Sequence, residues 1–368
     1  MSAKKNLLLV LPLALLILSA CSITTTSSGG TNSNDGSVFL SLDKGDTWRL
    51  MTATPSVSGQ PGNINDLSVN VMSIDPEDNL AVYLGTTDSG LYYTYAIGSG
   101  WNFVSGLPKA AINDVQVDPK NKCIIYAAIA NRVYRSADCS RTWTQVYFDN
   151  NAGVSVKTIV VDHYNSQNLY IGTSRGDIIK SIDAGAAWRT IQRLEEGIAR
   201  LVMSPTDSRQ LYVATVKSRI FSFISNTLTD PANSADLEQN FLVENWTDLN
   251  DVLKSFDLSG NFRDLLIASS GQLFVVTDKV VLRSPDGGVT WENIKLVPPE
   301  KDATINALVV NPNNALEMYY VTNTTFFRSL DGGATWMNKK LPTARLGHKL
   351  LVDFNNPSAI YLGTWKLK

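Results

Sequence analysis

The chain has 368 residues, 44% of them hydrophobic and 18% charged, and a formal charge of −2. That composition excludes a disordered chain and supplies enough apolar surface for a large core. It also lacks the basic surplus that nucleic-acid binding leaves in a sequence, so no nucleic-acid partner is expected.

The chain opens with Lys4 and Lys5, an apolar run at 7–18 and then small residues. This is the layout of an export signal, too short to prefer spanning a bilayer. Leu18-Ser19-Ala20-Cys21 resembles the lipobox of bacterial lipoproteins. The resemblance implies that residues 1–20 are a removable signal peptide and that Cys21 carries the lipid that holds the protein to a membrane. The alternative is an ordinary secretory signal with an incidental cysteine. Residues 22–36 are almost entirely Ser, Thr, Gly, Asn and Asp, so 21–36 reads as a lipidated flexible tether. The expected location is the extracytoplasmic side of a bacterial envelope. Ser22 after the cysteine would favour the outer membrane in a Gram-negative source.

Residues 37–368 repeat with a period of about 45 residues, which marks an array of equivalent units. One half of the repeat is an apolar strand, a turn of Asp-Pro type and a second apolar strand. Val71-Met72-Ser73-Ile74-Asp75-Pro76 followed by Ala81-Val82-Tyr83-Leu84-Gly85-Thr86 is the clearest copy. Further copies start at Val115, Thr158, Leu201, Leu265, Ala307 and Leu350, making seven. The other half is a strand, a tight acidic-glycine turn and a strand led by Trp. It is complete at 41–48, 284–291 and 329–336. At 181–188 Ala187 replaces the Thr, and at 136–143 Ser140 replaces the Gly. Only Gly98 and Trp101 survive in another copy, and around Trp246 a polar insertion at 225–245 replaces the turn. This half also occurs seven times.

Ser-x-Asp-x-Gly-x-Thr-Trp resembles the Asp-box, or bacterial neuraminidase repeat, of sialidases, sortilin-type receptors and xyloglucanase-type glycoside hydrolases. Combined with the Asp-Pro turn and a Tyr-x-Gly-Thr strand, it is more similar to the latter two and to photosystem II assembly-factor propellers. The implied fold is all-β, a seven-bladed β-propeller of four-stranded antiparallel blades. The chain begins with a Trp-type half and ends with the other half. N-terminal strands C and D are therefore expected to pair with C-terminal strands A and B, removing two exposed sheet edges.

The box has its own physical reading: Asp bonds turn amides, Gly permits positive φ, and Trp packs a flat apolar face on the blade. The pairs Asp43 and Trp48, Asp138 and Trp143, Asp183 and Trp188, Asp286 and Trp291, and Asp331 and Trp336 are accordingly structural. Antiparallel pairing about a turn at Ala130 and Asn131 sets Cys123 nearly opposite Cys139. A disulfide is expected after export, the alternative being two buried thiols.

Propellers place ligands at the mouth built from the turns between second and third strands and the loops between blades. Arg132, Arg175, Lys217 and Arg219 fall on those turns, and Arg200 begins an inner strand. Together they form a candidate basic arc for an acidic protein segment or an anionic saccharide, or else are scattered solvated charges. Asp88, Asp114, Asp177 and Asp278 are the carboxylates available to a glycosidase, which needs two facing a sugar. Gly172-Thr173-Ser174-Arg175-Gly176 matches a nucleophile-elbow pattern but falls in a β-hairpin. With His163 and His348 the only histidines, no metal site is expected, and no cofactor. The sialidase Phe/Tyr-Arg-Ile-Pro segment is absent, and xyloglucanase-type enzymes imply two tandem propellers where this chain has one. The expectation is a monomeric, membrane-anchored binding or assembly scaffold for a protein or glycan. The alternative is a glycoside hydrolase or lyase.

Overall fold

A strand such as Leu169–Thr173, in which every side chain is buried, must lie between two packed layers. Seven second strands, one per repeat and each with a run of at least five buried residues, pair antiparallel with an inner and an outer neighbour, giving seven four-stranded sheets. The computed structural model describes residues 35–55, 62–96, 100–225, 243–297 and 304–367. The expected signal peptide, Cys21, nearly all of the tether, Gly98 and most of the 225–245 insertion lie outside the described residues.

The innermost strands are Val69–Asp75, Ile112–Asp118, Val156–Val161, Ile198–Met203, Phe262–Ile267, Ala307–Asn311 and Leu346–Val352, and they open blades one to seven. Each lies beside the innermost strand of the next blade, and that of blade seven lies beside that of blade one, so the array is a closed ring, a β-propeller. Seven buried apolar clusters among the described residues fill the seams, each drawn from two adjacent blades. The core is therefore distributed around the ring.

Closure takes the form expected from the half-motifs. Val38–Ser41 pairs with Ile360–Trp365, with Phe39 opposite Leu362 and Leu40 opposite Tyr361, and Arg49–Leu50 completes blade seven. Thr364 strengthens the join by donating its amide to Ser37 O at 2.8 Å and its hydroxyl to Gly36 O at 2.7 Å.

The acidic-glycine turns share one hydrogen-bond network. Asp43 accepts the Thr47 amide at 2.8 Å and its hydroxyl at 2.6 Å, while Ser41 Oγ donates to Asp43 and accepts the Gly45 amide, both at 2.7 Å. Asp138, Asp286 and Asp331 repeat the arrangement. Asp183 keeps the Ser181 and amide bonds and loses only the side-chain bond, because Ala187 has no hydroxyl. Gly45 adopts φ 89°, and Ser140 is held at φ 67° at the equivalent place. The Trp side chains then fasten blade to blade: Trp101, Trp188 and Trp336 donate Nε1 to Met51 O, Val146 O and Lys295 O of the preceding blade at 2.8–2.9 Å. Cys123 and Cys139 are disulfide-bonded across blade two, with Cα atoms 3.8 Å apart.

Two elements were not expected from the repeats. Ala53–Thr54 pairs with Gly62–Asn63 in the loop from blade seven to blade one. Between blades four and five the chain makes one helical turn, Asn250–Leu253, because Leu249 and Leu253, four apart, both fall on the face buried in that seam. Ser225 pairs with Val243, bringing together the two ends of the insertion where other blades carry the acidic-glycine turn.

Candidate functional site at the mouth of the ring

The upper rim carries the turns between second and third strands, and its cations are held by carboxylates that the repeats did not reveal. Arg175 donates to Asp177 at 2.7 Å and to Asp149 at 2.8 Å, and Arg193 pairs with the other oxygen of Asp177. Asp149 and Asp177 are both buried, which fixes the guanidinium between them. Around blade four, Glu196 accepts the Thr215 hydroxyl at 2.7 Å, with Lys217 at 3.5 Å and Arg219 at 4.0 Å. Arg219 also reaches Asp248 at 3.3 Å. Arg132 lies over the exposed Phe148 ring, 5.0 Å from its centroid. The rim thus presents an alternation of paired charges on blades two to four, not a bare basic arc.

Arg200 does not belong to that rim. Val71, Asp114, Thr158, Arg200, Asp264, Ala307 and Lys349 occupy one ladder position around the ring, each paired with a Gly, Ala or Val of the second strand. Arg200 lies 3.4 Å from Asp264 and 3.8 Å from Asp114, so charges from blades two, four and five meet inside the ring. About a third of the Arg200 side chain is open to solvent, so the charges face water inside the ring, the central channel of the propeller. Desolvation pushes the Asp114 carboxyl up and the Lys349 ammonium down.

Six of the innermost strands have a bulge just above this layer. Asn70 and Asn113 at bulge positions, and Asn306 at the matching place in blade six, donate to Ile112 O, Val156 O and Gly347 O of the next blade. Lys157, Ala199, Arg263 and His348 replace Asn elsewhere. His348 stands edge-on to Trp365 at 4.7 Å, and burial, Lys349 and Arg263 hold its imidazole down to about 3, so it is neutral at neutral pH.

The four candidate acids are scattered and mostly engaged. Asp114 accepts the amides of Val115 and Ile159 and the Gln116 side chain at 2.8–3.1 Å. Asp177 is shared by two arginines. Asp278 accepts two bonds from Asn261 at 2.9 Å, with Arg263 at 3.6 Å. Burial raises the Asp278 carboxyl, but the Asn261 donors and the Arg263 charge outweigh it and keep it below the usual value. Asp88 is exposed, accepts the Ser89 hydroxyl at 2.7 Å, and lines a cavity of about 300 Å³ with Asp66, Ser68, Trp365 and Lys366. Among the described residues no group of three or more His, Cys, Asp or Glu side chains is placed to hold a metal ion.

Asp149, Glu196, Asp264, Arg263 and Lys349 were missed by sequence reasoning. Aligning the repeats position by position would have shown Asp114, Arg200, Asp264 and Lys349 at one place where other blades carry Val, Thr or Ala.

No family model matches the chain. A xyloglucanase of a Paenibacillus species is 25% identical over 282 residues, covering 73% of this chain and 24% of that protein. The chain thus spans about a quarter of that relative's length. Among solved structures, the GH74 xyloglucanase of Xanthomonas campestris has a TM-score of 0.63 at 16% identity, covering 81% of this chain and 51% of that one. YCF48 bound to D1 peptide has a TM-score of 0.58 at 16% identity, covering 82% and 94%. At these identities the structural likeness establishes one thing about this chain, its seven-bladed β-propeller fold.

Proposed function

We propose that the protein is a membrane-anchored extracytoplasmic binding module, held through a lipid on Cys21 and the tether at 21–36, that presents the upper face of its propeller to a protein or glycan of the cell envelope. The turns that carry the blades together are Asp-boxes with a structural role. The observation that carries the reading is the state of the mouth. Asp177 and Asp278 already serve as acceptors for fixed partners, and Asp114 is bonded to backbone amides, so these acids hold cations and loops in place. A rim whose side chains are pre-set by ion pairs loses little freedom on binding, which is what recognition requires. The YCF48 structure, described as bound to a peptide, supports a protein partner.

A second reading, a glycoside hydrolase, is favoured by the sequence likeness to the Paenibacillus xyloglucanase. Hydrolysis needs a carboxylic acid and a carboxylate flanking one sugar. Asp88 beside its cavity is the acid best placed to supply one of them.

One experiment separates the two. Purified full-length protein is incubated with xyloglucan and a panel of envelope polysaccharides, with reducing ends and bound glycan both measured, and envelope extracts are passed over the immobilised protein. Saturable capture without new reducing ends, weakened at least tenfold in the Arg175→Glu, Arg219→Glu double variant, is expected. Turnover abolished by Asp88→Asn would replace the binding reading with the hydrolase.

A further inference from the structure

The innermost strands bring together cations whose donors the chain leaves unused. Arg263 on blade five makes no hydrogen bond among the described residues, has a buried Nε without an acceptor, and stands 3.6 Å from Asp278. The buried Nε of Arg200 on blade four faces Asp264 at 3.4 Å without forming a hydrogen bond, and its Nη1 lies 3.8 Å from Asp114. Lys349 on blade seven, at the same ladder position as Arg200, shares the field of Asp264, Asp114, Arg200 and Arg263, and its ammonium forms no hydrogen bond or ion pair among the described residues. The neighbouring acids are not short of partners. Asp114 accepts three N–H groups and Asp278 two from Asn261, while Asp264 accepts one, the Leu265 amide at 2.9 Å, on the oxygen that also faces Arg200.

The cluster therefore has a surplus of strong donors and few free acceptors, in a confined channel where an unmade hydrogen bond is costly. A ligand that brings acceptors relieves that cost. Arg263, Arg200 and Lys349 are balanced in number by Asp278, Asp264 and Asp114, so a singly charged ligand suits the channel better than a dianion. The planar fork of arginine matches a carboxylate in both geometry and hydrogen-bond count.

We propose that Arg263, Arg200 and Lys349 form a binding site for a single carboxylate group inside the central channel. The site rests on the reading of the protein as a binding module and names the chemistry its channel accepts. That carboxylate belongs either to a small free acid or to the end of a longer molecule entering the channel.

Titration calorimetry on the full chain at constant ionic strength tests the site, with acetate and hexanoate as short and extended acids, inorganic phosphate as the dianion and methyl acetate as the uncharged control. Saturable binding of at least one acid, at least tenfold tighter than phosphate and with no heat from methyl acetate, is expected. A gain from acetate to hexanoate assigns the longer source, and equal affinity the small acid. Lys349→Met and Arg263→Gln, on different blades so that one misfolded variant does not decide the result, should each weaken binding at least tenfold, whereas Lys340→Gln on an outer strand should not. The absence of saturable acid binding to the wild-type protein overturns the site, as does binding unchanged in both folded channel variants or tighter binding of phosphate. Envelope capture that survives such a failure leaves the binding-module reading standing, because that reading is tested separately at Arg175 and Arg219.

Discussion

Arg200 of blade four lies 3.8 Å from Asp114 of blade two, two innermost strands away, so a single ion pair reaches across a neighbouring blade inside the ring. The pair needs blades two to four packed side by side, and Asp264 of blade five completes it at 3.4 Å. Replacing Arg200 with Leu removes the nearest counter-charge from both carboxylates and leaves Lys349 as the remaining cation in their field. Losing one partner of a fully buried pair costs about 3–5 kcal/mol, and channel water around the exposed third of Arg200 reduces this to about 2 kcal/mol. Urea unfolding should show that loss. Asp114→Asn added to Arg200→Leu should recover part of it, and a double variant no more stable than the single one would refute the coupling.

Closure of blade seven makes a separate prediction. Phe39 is buried in the seam between blades six and seven and pairs with Leu362, so its ring joins the first described strand to the last. Phe39→Ala should destabilise the protein by about 3–4 kcal/mol through lost burial and the cavity left behind. Leu42→Ala, at a side chain 49% exposed in the adjacent turn, should stay within about 0.5 kcal/mol. Equal losses in the two variants would show that the strand does not seal the ring.

The contrast between these residues explains what the sequence could reveal. Phe39 and Leu362 sit in strands flagged locally by apolar runs, turn residues and a recurring Trp, and the order of the half-motifs was enough to pair them. Asp114, Arg200, Asp264 and Lys349 are a blade or more apart in the chain, and nothing local in their strands marks them as partners. Their meeting is a property of the ring, because seven equivalent positions converge on one axis. The rim lies between these cases. Arg175 and Arg219 were placed on the correct turns, but Asp149 and Glu196, which hold them, come from connections between blades whose course the repeat does not specify.

The acidic turns predict the acid limb of stability. Hydrogen bonds from the Thr side chain, and then its amide, hold Asp43, Asp138 and Asp331 down at about 2, and Asp286 is lowered by the same cause. A folded-state value below the unfolded one means stability that is complete above about pH 4 and lost as pH falls towards about 2. Asp114 has the opposite sign, since burial raises its carboxyl and favours the folded state more when it is protonated. Four turns against one channel acid make the net slope positive with pH in this window. Urea midpoints between pH 2 and pH 5 should rise with pH, and Asp331→Asn should flatten the curve. A slope unchanged in that variant would remove the turn aspartates as its source.

The disulfide is the last element whose contribution can be isolated. Cys123 and Cys139 close a loop across a sequence separation of 16, and the Cys139 amide donates to Cys123 O at 3.1 Å, so the bridge adds to a contact the backbone already makes. Its main effect is therefore on the unfolded chain, whose freedom it restricts by about 3 kcal/mol for a loop of this size. Cys139 and Ser140 both hold positive φ, 58° and 67°, in the one acidic turn that lacks its glycine. That conformation is costly for side chains with a Cβ. Cys139→Ser keeps this backbone demand and removes only the crosslink, so it should lower stability by about 2–3 kcal/mol and abolish the response to dithiothreitol. Ser140→Gly in the disulfide-bonded protein should raise stability by up to about 1 kcal/mol, by relieving the turn. A reductant-insensitive wild-type protein with two alkylatable thiols would show that the bridge does not form in the isolated material.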